Sequence, residues 1–140
     1  MPRFMRMLNN ISRAQTIYRR NRIAGELAPV HQTYVLCITR SPGATQDEIA
    51  RDICVNKSTV ARHMDWFLEN GYVTRVPDQN DKRCLRVYPT ERMLAALPEI
   101  KRVTGEWTTL ISEGIDEREL AIFESVLKKM EAKAREVSKP

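Results

Sequence analysis

A mainly α-helical fold with one small β-hairpin is what the sequence predicts, on three observations. Apolar residues recur at helical spacing at both ends of the chain, two short capped helices lie close together near its middle, and one pair of β-rich runs flanks a polar turn. The 140 residues are enough for one domain with a sizeable core, and residues 1–140 are expected to form one.

From Phe4 to Ile23, apolar side chains at Phe4, Leu8, Ile11, Ala14 and Tyr18 keep helical spacing. Pro29 suits the first turn of a second helix, which should reach about Thr39 before Ser41-Pro42-Gly43 breaks it. Thr45 and Glu48 form a capping box for a short helix that buries Ile49 and Ile53. After a tight Cys54-Val55 connection, Asn56 caps a helix from Lys57 to Glu69, and Asn70-Gly71 ends it. Two strands, Tyr72 to Val76 and Leu85 to Tyr88, flank the turn-prone run Pro77 to Arg83. Thr90 then caps a helix carrying Leu94, Leu97, Ile100, Trp107 and Leu110, expected to bend near Pro98. Asp116 to Glu119 reads as a second capping box, opening a last helix with Leu120, Phe123, Leu127, Met130 and Ala134 at spacings of three or four.

Two short helices joined by a tight turn and followed by a hairpin make a winged helix-turn-helix, here a lobe of about residues 29–90. Helices over about 4–26 and 91–137 carry apolar stripes that one such lobe could not cover, so they are assigned to dimerisation. At 100° per residue, Val60, Ala61, Met64, Phe67 and Leu68 gather on one side of the second short helix, with Ser58, Thr59, Arg62, Trp66 and Glu69 opposite. Arginine reads guanine bidentately, serine and threonine bond base edges or phosphates, and a helix N-terminus favours a phosphate. Asn56, Lys57, Ser58, Thr59, Arg62 and His63 are therefore candidates to enter a DNA major groove. In the wing Asp81, Lys82 and Arg83 are candidates, with Arg83 suited to a minor groove and Asp81 to orienting it. Trp66 is expected to be covered by a neighbouring helix.

Six arginines against one acid in residues 1–26 account for the whole net charge of +5, a bias towards a polyanionic partner. No apolar run is long enough to span a bilayer, and the basic start leads into polar residues; no membrane association is expected and the protein reads as cytoplasmic. Cys37, Cys54 and Cys84 are too few and scattered for a disulfide framework or zinc site. Cys84, beside Lys82 and Arg83, has the best sequence setting for an oxidant-sensing thiol. With no nucleophile–base pair, metal cluster or phosphate-cradling loop, neither enzyme activity nor a metal or cofactor is expected. Tyr18, His31 and Tyr34 are candidates to line a small-molecule pocket. The alternative function is a winged-helix protein-interaction or RNA-binding module without operator recognition.

Thr45-Gln46-Asp47-Glu48-Ile49-Ala50, Asn56-Lys57-Ser58-Thr59-Val60, Leu68-Glu69-Asn70-Gly71-Tyr72-Val73 and Pro77-Asp78 with Asp81-Lys82-Arg83 resemble the MarR (multiple antibiotic resistance regulator) family. The resemblance is dense from about Leu27 to Thr90. It implies a homodimer on double-stranded DNA, repression relieved by a small aromatic or anionic effector or by cysteine oxidation, and DNA contacts at Ser58, Thr59, Arg62 and Arg83. A pseudo-palindromic operator would match the dimer's two-fold symmetry. The sequence departs from the family where Lys82 stands for an arginine, Trp66 for a basic residue, and Tyr88-Pro89-Thr90-Glu91-Arg92-Met93 for Leu-Thr-x-x-Gly. No cysteine precedes Cys37, which counts against oxidation sensing of the family's redox branch.

Overall fold

Local chemistry sets most element boundaries in the computed structural model, which describes residues 2–139. The order is α1 (Phe4–Arg22), α2 (Pro29–Arg40), β1 (Ala44–Thr45), α3 (Gln46–Ile53), α4 (Lys57–Glu69), β2 (Val73–Pro77), β3 (Leu85–Pro89), α5 (Glu91–Ser112) and α6 (Glu117–Val137). Thr45 Oγ1 accepts from Glu48 N–H at 3.1 Å, and the Glu48 carboxylate accepts from Thr45 N–H, so the first capping box closes. Asn56 Oδ1 accepts from Thr59 N–H at 2.8 Å and opens α4. At α6 only half of the expected box forms: Asp116 caps Arg118 N–H at 2.7 Å. Helix α5 runs through Pro98 as one assigned helix.

The sheet has three antiparallel strands in the order β1-β3-β2, one more than the sequence suggested. Ala44 pairs with Val87 and Thr45 with Arg86, which places the start of α3 against the hairpin. Two residues cannot show alternation, so β1 carried no periodic signal. The core joins α2, α3, α4, the hairpin and the first half of α5 through Tyr34, Val35, Ile38, Ile49, Val60, Met64, Phe67, Val73, Val87, Met93 and Ile100.

The chain divides into two compact units, one ending at Gly105 and the other starting at Glu106. In the first, α1 leaves Phe4, Met5, Met7, Ile11 and Ile17 exposed. In the second, Leu110, Ile111, Ile122, Phe123 and Val126 are exposed, and no described residue of α6 is buried. Among the described residues no helix is long and apolar enough to cross a membrane.

Gly43 holds the corner between α2 and β1. Its φ of +86° is one that side-chain-bearing residues rarely adopt, and an added Cβ would stand 3.1 Å from the Tyr88 hydroxyl. Gly43→Ala should therefore cost about 1–2 kcal/mol, measured by urea unfolding. Truncating Tyr88 as well should recover only the steric part; full recovery would show that backbone conformation is not what requires glycine here.

Candidate nucleic-acid interface

Val60, Met64 and Phe67 are fully buried and fix the rotation of α4. Measured from Val60 at 100° per residue, Leu68 and Ala61 lie about 80–100° to one side and His63, Thr59 and Trp66 about 60–120° to the other. On the second side His63 and Trp66 pack against the rings of His31 and Tyr34 from α2. Leu68, placed inward from the sequence, is 41% exposed, while His63, Thr59 and Trp66 are half-buried. Trp66 lies parallel to the His31 ring at 4.1 Å and so has the cover expected of it. The exposed face is centred on Ser58, Arg62, Asp65 and Glu69, with Asn56 and Lys57 exposed at its N-terminal end.

That face is internally bonded. Ser58 Oγ donates to Asn56 Oδ1 at 2.9 Å, and Arg62 Nη2 donates to Thr59 Oγ1 at 3.2 Å. Lys57 Nζ lies 3.3 Å from Asp47 of α3. His63 stands apart from this set, because its ring packs 4.8 Å from Tyr34 of α2. Burial, and then the adjacent Arg62 cation, hold its pKa below the ordinary 6.5.

The wing is built around Asp78, which the sequence did not single out. Its carboxylate accepts from Arg86 Nε at 2.6 Å and from the backbone N–H groups of Asn80 and Asp81. These bonds hold the Asp78 pKa below the usual carboxylate range. Arg86 Nη1 also donates to the Gly43 carbonyl at 2.8 Å, tying the hairpin to the α2–β1 corner. Asp81 Oδ1 accepts from Arg83 N–H and, at 3.2 Å, from Arg83 Nε, and the Arg83 side chain is 92% exposed. Lys82 is exposed beside it. A second residue not singled out, Arg75 of β2, reaches Asp65 of α4 at 3.0 Å and Gln46 of α3 at 3.2 Å, so one guanidinium braces both helices.

The three pocket candidates have different surroundings. Tyr18 lies under the Arg22 guanidinium at 3.8 Å. His31 stacks on Trp66, and Tyr34 is buried against His63 and Phe67 with no hydrogen-bond partner for its hydroxyl among the described residues. A cavity in the same unit is lined by Leu27, Tyr72, Ala96 and Ile100 with Glu26 and Glu99, and none of the three lines it. The sequence missed Arg19 of α1, whose side chain is buried with Nε unpartnered among the described residues and whose pKa burial lowers.

Each cysteine has a defined setting. Cys37 is buried and donates to Asp52, and burial followed by that bond pushes its pKa up to about 12. Cys84 does not sit under the cations that flank it in sequence. Its thiol faces Asp81 at 3.7 Å, and burial and that carboxylate raise its pKa, which removes the electrostatic argument for oxidant sensing. Cys54 is exposed in the turn between α3 and α4. Among the described residues no three His, Cys, Asp or Glu side chains group as metal ligands.

Residues 29–85 match the model of the MarR family. The curated relative YybA of Bacillus subtilis, an uncharacterized HTH-type transcriptional regulator, is 29% identical over 79 residues, 56% of this chain and 52% of the relative. The chain thus matches about half the length of that relative. A crystal structure of the transcriptional regulator SlyA superposes with a TM-score of 0.88 at 26% identity, covering 96% of both chains. A putative MarR family transcriptional regulator from Listeria monocytogenes, solved in complex with a 26mer DNA, has a TM-score of 0.87 at 21% identity, covering 97% of this chain and 91% of that one.

Thiol chemistry gives a direct check. Iodoacetamide at pH 7.5 should label Cys54 first, whereas Cys37 should react roughly 1000-fold more slowly than a free thiol because so little thiolate is present. Peptide mass spectrometry reads the order, and rapid labelling of Cys37 in folded protein would contradict the buried Asp52 bond.

Proposed function

We propose that this chain, whose residues 29–85 match the MarR family model and whose fold superposes on that of SlyA, is a MarR-type regulator that controls transcription as a homodimer on a pseudo-palindromic duplex operator, as a repressor released by a small acid. The observation that carries this reading is the pairing of two exposed features on one lobe. One is the capped N-terminal half of α4, with Lys57, Ser58 and Arg62 exposed; the other is Arg83 on a wing braced by Asp78 and Arg86. Arg62 is the base reader, while Asn56, Lys57, Ser58 and Thr59 position α4 against phosphates and base edges. Lys82 and Arg83 take the flanking minor groove, and Asp81 holds Arg83 until it docks. His63, turned towards α2, contributes to the seat of α4.

The exposed apolar side chains of α1, and separately those of α5 and α6, support dimerisation. A C2 dimer of this kind would set its recognition helices about 34–36 Å apart on successive major grooves. An acidic effector is supported by Arg19, a buried guanidinium whose Nη1 donates to Thr33 Oγ1 at 3.5 Å and whose Nε has no hydrogen-bond partner among the described residues. A bound carboxylate would neutralise it and favour one arrangement of the lobes over another.

Footprinting on DNA upstream of the protein's own gene tests the whole reading. Arg62→Ala should weaken binding to the protected site by about 1–3 kcal/mol and relax its sequence preference. Lys57→Ala should weaken all duplexes alike and lower the slope of log affinity against log salt by about one. Arg19→Met should remove release by aromatic acids while leaving operator affinity unchanged. Equal binding to every duplex by wild type and Arg62→Ala would refute operator recognition, and a monomer in light scattering at micromolar concentration would refute the dimer.

A further inference from the structure

Helices α2 and α4 meet through a run of stacked groups. His31 lies on Trp66 with centroids 4.1 Å apart and planes 6° apart, and Trp66 stacks with Tyr72 at 5.8 Å and 11°. The Arg92 guanidinium sits 4.6 Å over Tyr72. Glu26 closes the far end, accepting from the Tyr72 hydroxyl and, at 2.5 Å, from Arg92. Beside the run, His63 stands edge-on to His31 at 5.8 Å.

His31 has a second task. Its Nδ1 accepts from the Ala28 backbone N–H at 3.1 Å and so satisfies a donor at the start of α2, where Ala28 itself has no side chain to cap the helix. An accepting Nδ1 carries no proton, so the neutral ring must bear its hydrogen on Nε2. One imidazole therefore caps α2 through its edge and seats Trp66 of α4 through its face.

We propose that the His31–Trp66 stack is a proton-sensitive joint: a proton added at Nδ1 of His31 removes the α2 cap and unseats Trp66, so that mild acid weakens duplex-DNA binding by α4. Its output rests on the DNA-binding reading above; the joint itself does not.

The surroundings keep His31 neutral at pH 7. Burial, and then His63, lower its proton affinity, against the pull of Glu26 in the α1–α2 connection. The other titratable or charged groups around the stack are Arg62 on α4, Tyr72 at the hairpin root, Arg92 on α5 and Tyr34 on α2 itself. Only Glu26 among them favours an imidazolium electrostatically, and it already serves Tyr72 and Arg92. The indole face would also welcome a cation, but protonation at Nδ1 sets two N–H donors against each other at Ala28.

The sign follows from the direction of the shift. The folded state holds the pKa of His31 below the ordinary 6.5, so unfolded or unseated chains take up the proton first as pH falls. The contribution of the neutral ring is complete above that value and is lost as pH drops through the folded pKa. A histidine acting only as surface charge would do the reverse, because a new cation near a polyanion strengthens binding.

Duplex affinity of the full-length protein is measured at constant salt from pH 7.5 to 5.5, with Trp66 emission followed in a Trp107→Phe background. Affinity should fall about fivefold, the factor for one lost cap, and imidazolium quenching of Trp66 should share its midpoint. His31→Asn keeps an acceptor near Nδ1 without titrating but loses the ring that seats Trp66; whatever its affinity at pH 7.5, that affinity should change less than twofold on acidification. Tighter binding in acid, an unchanged acid response in His31→Asn, or flat Trp66 emission would overturn the proposal. The emission titration needs no His31 variant, so it decides even if that variant misfolds. Absence of any duplex binding at pH 7.5 would instead refute the DNA-binding output, while the pH dependence of thermal unfolding with and without His31 still judges the joint.

Discussion

The outward face of α4 exists because its inward face is committed. Val60, Met64 and Phe67 lie at positions i, i+4 and i+7 and are completely buried. Burying such side chains contributes roughly 1.5–3 kcal/mol each, whereas the poor helix propensity of Thr59, Val60 and His63 costs at most about 0.7 kcal/mol apiece. Packing therefore decides both that this segment is a helix and how it is rotated. Once Val60 points into the core, the rotation of Ser58 and Arg62 away from it follows from helix geometry. The asymmetry of the cover then narrows the exposed face, since α2 takes one shoulder with His31 and Tyr34 and leaves Leu68 open on the other.

Ion pairs in the lobe fall into two groups, and exposure separates them. Lys57–Asp47 and Arg83–Asp81 involve side chains 76% and 92% exposed on the basic partner. Pairs in that setting contribute at most about 1 kcal/mol, so either cation can leave its acid for a phosphate at little cost. Arg75–Asp65 and Arg86–Asp78 are different: Arg75 is 20% exposed and Asp78 15%. Both guanidiniums also hold a second acceptor, Gln46 Oε1 for Arg75 and the Gly43 carbonyl for Arg86. The wing is shaped at its root by the bonds that stay, and its tip is left with the bonds that exchange.

The sequence revealed what is local. Thr45 and Glu48, Asn56, Pro29 and the apolar periodicities each act within about four residues, and the helices they announce are present within a few residues of the expected bounds. What escaped depends on distant partners. Strand β1 exists only because Gly43 and Ala44 meet Val87, more than forty residues away. Cys84 looked cationic because Lys82 and Arg83 flank it, but the chain turns tightly enough for its thiol to face Asp81. The structural roles of Arg19, Arg75 and Asp78 could not be read, because a charged residue in a sequence reads as a surface residue until its partners are known. A single indole on an otherwise polar face was the one long-range feature that could be read, since a side chain of that size seldom stays uncovered.

The same bonds that build the lobe also fix how α5 leaves it. Thr90 Oγ1 donates to the Gly71 carbonyl at 2.7 Å and Thr90 N–H to the Tyr72 carbonyl at 3.0 Å, so the residue just before α5 is bolted to the turn that ends α4. Two residues later, Arg92 reaches both Glu26 and the Tyr72 ring. The first turn of α5 cannot swing without breaking these contacts or carrying the end of α4 with it, because Tyr72 is common to both and stacks on Trp66. Helix α5 and helix α4 are thus tied to each other through Tyr72.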